Sequence, residues 1–163
     1  MSVTLARRSL YRLLLTPILL AIALGVFGAG PAKAGSMVNQ NFFGTAIRGY
    51  DPVAYFTQGA AVEGSDAFEY EWLGGTWQFA SAEHRDLFIA DPIRYTPQFG
   101  GYCASGAIDG ETLGGDPQAW SIVDGKLYLL YSKRSLSRWS KDAVGNIAKG
   151  DVNWPTIQAG LTE

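Results

Sequence analysis

From Ala67 to Leu73 apolar and polar residues alternate around Phe68, Tyr70 and Trp72, and from Thr76 to Ala80 they alternate again around Trp77 and Phe79. A period of two sets such residues on one face of a strand. Gly74-Gly75 between the runs supplies a tight turn, so together they predict a β-hairpin. Ser81 follows at once. Its side-chain oxygen can accept a hydrogen bond from a first-turn amide, Glu83 suits the positive end of a helix, and Asp91-Pro92 stops it, which predicts a helix through Ala90. On that helix His84, Leu87 and Phe88 share a face by i, i+3, i+4 spacing. The same order returns later. Trp120 to Val123, Asp124-Gly125 and Lys126 to Tyr131 predict a second hairpin with a type I′ turn. Ser135 is placed to cap a second helix to about Ala148, with Leu136, Trp139, Ala143 and Ile147 as its apolar stripe. Gly145 weakens that helix by about 1 kcal/mol relative to alanine. The fold class is therefore α+β: two β-hairpins, each followed by a helix, in one small compact domain. Hairpin, serine and helix occur in this order twice, with residue-level similarity too thin to define a repeat.

The connecting segments add detail. Residues 35–49 are weakly periodic and read as a loop or a short N-terminal arm. Asp51-Pro52 signals a turn, and Val53 to Phe56 is a short apolar run, either a strand or a turn of helix. Pro97 to Gly115 holds seven glycine or proline residues and no periodicity, which predicts a long structured loop packed through Phe99 and Tyr102. Asn153-Trp154-Pro155 reads as an indole pin for the C-terminus. The expected organisation is a leader over 1–34, an arm over 35–49, a domain over 50–157 and a tail over 158–163.

The leader changes the arithmetic. Arg7, Arg8 and Arg12 precede an almost wholly apolar stretch from Leu13 to Gly30, and Ala32-Lys33-Ala34 is an A-x-A site. This predicts a secretory signal peptide cleaved after Ala34, hence a periplasmic or secreted chain with no stable membrane insertion after cleavage. An uncleaved anchor is the alternative, since the 18 residues from Leu13 to Gly30 nearly span a bilayer core of about 30 Å. Arg7-Arg8 with Leu10 partly matches a twin-arginine signal, while the leucine-rich core fits the general secretory route better. The mature chain keeps nine basic against fifteen acidic residues, a net charge of −6. That balance argues against a nucleic-acid partner. A single cysteine excludes an internal disulfide framework, and in an oxidising compartment an odd thiol stands out.

Few residues can carry chemistry. Cys103, in Gly100-Gly101-Tyr102-Cys103-Ala104, reads either as a loop thiolate for metal or nucleophilic chemistry or as a small buried hydrophobe. His84 reads as a neutral imidazole ligand, as a base for Cys103, or as a partly buried helix histidine. Glu83, Asp86 and Asp91 are candidates to complete a hard-ligand set or are simply a solvated face and a helix stop; Asp109, Glu111 and Asp116 lack the spacing of an EF-hand. Trp72, Trp77, Tyr70 and Phe79 line either an aromatic pocket or the core.

Several blocks resemble the YHS domain family. Tyr50-Asp51-Pro52-Val53-Ala54-Tyr55-Phe56, the hairpin from Phe68 to Phe79, and Phe79-Ala80-Ser81-Ala82-Glu83-His84-Arg85-Asp86-Leu87-Phe88 with Asp91-Pro92 and Tyr95 carry the resemblance. Pro97 to Ala104, Trp120 to Leu129 and Asn153-Trp154-Pro155 are similar to its secreted bacterial branch. The resemblance implies a small metal-handling module. The thiols that metal-handling relatives carry fall on Ala54, Ala80 and His84 here, so a multi-thiolate cage does not transfer, and only His84 keeps a ligand atom. The expectation is a non-catalytic copper or zinc module using His84 and Cys103. Two ligands bind weakly, and a homodimer across a two-fold axis would supply four. The alternative is a metal-free module for a ligand or an unidentified protein partner; a pocket lined by Trp72, Trp77 or Tyr102, with Cys103 buried elsewhere, would mark it. A Cys103–His84 thiol enzyme is the third reading.

Overall fold

The computed structural model describes residues 35–162; the signal-peptide assignment over 1–34 lies outside them. The described chain is an α+β domain with two separate two-stranded antiparallel sheets. Strands β1 (Ser65–Trp72) and β2 (Gly75–Phe79) form the first hairpin, and β3 (Asp116–Val123) and β4 (Lys126–Leu130) the second. Short helix α1 (Ala54–Thr57) precedes the first hairpin, and α2 (Ala82–Ala90) and α3 (Pro92–Tyr95) follow it. Helix α4 (Ala104–Asp109) precedes the second hairpin, and α5 (Lys133–Trp139) and α6 (Ala143–Thr162) follow it.

Both hairpins turn through positive φ at two central residues, Leu73 (51°) with Gly74 (75°) and Asp124 (51°) with Gly125 (72°), the signature of type I′ turns. The first turn is thus Leu73-Gly74, with Gly75 already in β2. Ser81 caps α2 by accepting from His84 N–H, and Asp91 caps α3 by accepting from Arg94 N–H.

Other expectations shift. On α2, His84 and Phe88 are buried while Leu87 faces solvent. The second cap is Ser132, which accepts from Ser135 N–H, so the helix starts earlier than Ser135 predicts. It stops after two turns, and α6 then runs through Pro155 to Thr162, absorbing the segment expected as a tail. Gly145 sits in the first turn of α6, where a Cβ would come 2.4 Å from the Asp142 carboxylate that caps its N–H. The Pro97–Gly115 loop contains α4, and the N-terminal arm is core: Val38, Ala46 and Ile47 are fully buried.

The two halves share one backbone plan. Ser65↔Phe79, Glu69↔Gln78, Tyr70↔Trp77, Glu71↔Thr76 and Trp72↔Gly75 recur as Asp116↔Leu130, Trp120↔Leu129, Ser121↔Tyr128, Ile122↔Leu127 and Val123↔Lys126, numbers differing by 51 throughout, bulge included. Ahead of each hairpin lies a left-handed turn, Ile47-Arg48-Gly49 (φ 39°, 57°, 81°) and Phe99-Gly100-Gly101 (54°, 60°, 79°). A tyrosine follows each turn. The next amide then bonds back across a loop, Asp51 N–H to Val62 O (2.8 Å) and Cys103 N–H to Leu113 O (2.7 Å). The core repeats as well. Trp77, Phe79 and Phe88 anchor one buried cluster, and their counterparts Tyr128, Leu130 and Trp139 anchor the other. The second half adds α6, whose Trp154 packs on Phe99 and Tyr102 and whose Asn153 amide donates to the α4 carbonyls of Ala107 and Ile108. None of the helices among the described residues is long and apolar enough to cross a membrane.

Candidate functional site

Asp51 is the hub of the first half. It is fully buried just before α1, where its Oδ1 accepts from the amides of Val53 (2.8 Å) and Ala54 (3.3 Å). Its Oδ2 accepts from Ala80 N–H (2.8 Å), one residue before the Ser81 cap, and lies 2.6 Å from His84 Nδ1. Three backbone donors converge on this carboxyl, which suits an ionised acceptor. His84 Nδ1 therefore carries a hydrogen and donates it to Asp51, with the residue only 8% exposed.

That tautomer turns Nε2 toward Thr57 Oγ1, 3.2 Å away at the end of α1. The Thr57 hydroxyl also lies 3.2 Å from Val53 O. Both protonation states of His84 are thus satisfied. With neutral imidazole the hydroxyl donates to Nε2; with imidazolium, Nε2–H donates to Oγ1 and the hydroxyl turns to Val53 O. Thr57 itself is an exposed residue, so a hydrogen-bonded chain runs from a buried carboxylate to a residue at the surface.

Cys103 occupies the place in the second half that Asp51 holds in the first. It is fully buried, and its Sγ accepts from Tyr131 N–H at 3.1 Å, one residue before the Ser132 cap. The counterpart of His84 is Ser135. His84 and Cys103, paired in the sequence argument, share no polar contact: the imidazole is held by Asp51 and Thr57, and the thiol lies in the other core cluster. Each ring nitrogen of His84 and the Cys103 sulfur has a hydrogen-bond partner within its own half. Among the described residues no three His, Cys, Asp or Glu side chains are grouped to hold a metal ion. Asp86 pairs with Arg85 (2.9 Å), Asp91 caps α3, and Asp116 accepts from Gln118 N–H.

The aromatic stripe divides. Trp77 and Phe79 are core, whereas Trp72 walls a groove of about 200 Å³ with Ile93, Phe99 and Trp154, where Gln98 and Gln158 supply polar groups. Every side chain lining this groove is uncharged. A larger open cleft of about 550 Å³ between α4 and α6 has a single ionisable lining residue, Asp109.

Tyr55 ties the halves together by donating from its hydroxyl to Pro117 O (3.0 Å). Burial pushes its phenol well above the ordinary value, helped by the neighbouring Tyr50, Asp116 and Asp51 charges. Burial also raises Tyr102 and Tyr128.

Asp51 and Thr57 escaped the sequence reading as functional residues. The Asp51-Pro52-Val53 order does signal a side chain capping the next turn, but nothing local marks a partner 33 positions away. Compared with family models, curated proteins and solved structures, the chain has no match.

Proposed function

We propose that this chain is an exported, metal-free binding module of the YHS type, and that the groove walled by Trp72, Ile93, Phe99 and Trp154 takes a small uncharged ligand bearing an aromatic or apolar ring. The observation that carries this reading is the uncharged, tryptophan-walled groove on a chain of net charge −6 once the leader is removed, with Cys103 fully buried and not among its lining residues. Flat apolar walls with two primary amides favour a neutral ring and supply no counter-charge to an ion. Export by the 1–34 leader and YHS membership belong to the same proposal and rest on the residues quoted above. The copper or zinc reading needs His84 and Cys103 to leave partners that satisfy both, which is why the groove is preferred.

Titration with N-phenyl-1-naphthylamine, an uncharged fluorescent probe, tests the groove. Trp72→Ala or Ile93→Asp is expected to weaken binding at least about tenfold, or about 1.4 kcal/mol. Ile93 is 79% exposed, so its replacement leaves the fold intact. Equal affinity in both variants sinks the groove. A calorimetric Zn(II) or Cu(I) signal that vanishes in His84→Ala/Cys103→Ser restores the metal reading instead.

A further inference from the structure

We propose that Thr57 is an acyl-accepting hydroxyl, with His84 as its general base and Asp51 as the group that orients the imidazole; the donor is an activated ester or thioester of a small carboxylic acid. Three observations converge on this. The first is geometry. Asp51 Oδ2 to His84 Nδ1 is 2.6 Å and His84 Nε2 to Thr57 Oγ1 is 3.2 Å, the nucleophile, base and orienter order that activates a weak hydroxyl nucleophile. The second is access. The carboxylate is fully buried and the imidazole nearly so, while Thr57 is an exposed residue at the end of α1, the one member of the hydrogen-bonded chain that reaches the surface.

The third is an internal control within the same molecule. In the second half Cys103 and Ser135 stand where Asp51 and His84 stand in the first, and the backbone closes in the same register. There the Cys103 sulfur accepts the one equivalent amide, Tyr131 N–H, with no carboxylate–imidazole pair. Burying a carboxylate beside an imidazole is costly in desolvation. This frame closes without such a pair, so Asp51 and His84 can serve proton handling at Thr57 in addition to holding the amides of Val53, Ala54 and Ala80.

In the step itself, Thr57 Oγ1 forms a bond to the acyl carbon as its proton passes to His84 Nε2. The carbon–oxygen or carbon–sulfur bond to the leaving group then breaks, and the departing alkoxide or thiolate takes that proton from Nε2. The products are acyl-Thr57 and a free alcohol or thiol, with no change of oxidation state. Imidazolium formed on the way is stabilised by the Asp51 carboxylate.

The test is incubation of the purified protein with p-nitrophenyl acetate, followed by peptide mass spectrometry. Acetyl is expected on Thr57 at a rate at least about 100-fold above that on the exposed Thr112 and Thr156, the usual scale for a positioned base. Thr57→Ser retains labelling and Thr57→Val abolishes it; both changes fall at an exposed position. Replacing the pair by its counterpart in the other half, Asp51→Cys/His84→Ser, is expected to reduce labelling of Thr57 to the level of Thr112. Labelling confined to lysines and the N-terminus, or a Thr57 rate no higher than that of Thr112 and Thr156, overturns the proposal. The comparison among threonines needs no variant, so it holds even where a substitution perturbs folding.

Discussion

The shared plan of the two halves allows a sharp test of what Asp51 and His84 contribute to stability. His84→Ser alone leaves the Asp51 carboxylate fully buried, with its three backbone donors but without the imidazole. Leaving a buried carboxylate without its side-chain partner costs about 3–4 kcal/mol. Asp51→Cys alone strands His84 Nδ1–H and weakens the bonds from Val53 and Ala54, for about 3 kcal/mol by the cost of unsatisfied buried groups. Independent effects would add to about 6–7 kcal/mol. The double variant instead recreates the neutral Cys103 and Ser135 arrangement of the second half, and its expected loss is about 3–4 kcal/mol, a coupling of about 3 kcal/mol. Urea unfolding of wild type, both single variants and the double variant measures this directly, provided the m-value stays constant. Losses that add to within about 0.5 kcal/mol would refute the reasoning, because the pair would then not be an energetic unit.

Two further outcomes follow from burial. Tyr55, Tyr102 and Tyr128 hold their phenolic protons more tightly folded than unfolded, so the unfolded chain releases them first as pH rises. Their stabilising contribution is complete below the ordinary phenol value of about 10 and is lost above it; alkaline denaturation followed by circular dichroism is expected to shift to higher pH in Tyr55→Phe, and an unchanged midpoint would count against this. Cys103 is fully buried with its sulfur accepting from Tyr131 N–H, so alkylation by iodoacetamide at neutral pH is expected to wait on unfolding, and rapid labelling of the folded protein contradicts that placement.

Local rules read much of this chain correctly. Alternating aromatics and glycine-bearing turns specify both hairpins, because a period of two and a positive-φ turn are properties of a few consecutive residues. Ser81 caps α2 and Asp91-Pro92 ends it for the same reason. The reading fails where a segment takes its shape from elsewhere. Leu87 has helical spacing with His84 and Phe88 but faces water, since the neighbouring elements cover a narrower face than the spacing suggests. The Phe99-Gly100-Gly101 turn and α4 look structureless in sequence, and α6 continues through Pro155 because Trp154 and Asn153 are anchored on the rest of the second half.

The candidate site divides in the same way. Sequence alone singled out His84 and Cys103 as the rare soft groups, and it put His84 on the same face of α2 as Phe88, where both are buried. Only tertiary structure decided their partners. It closed His84 onto Asp51 and Thr57, and it set Cys103 in the equivalent place of the other half. Residue types and turn chemistry are local, whereas the meeting of side chains 33 positions apart depends on how hairpin, helix and loop pack together. The two halves share a hydrogen-bond register that tolerates almost any side chain facing outward, so their common plan is written in the backbone and nearly erased from the residues.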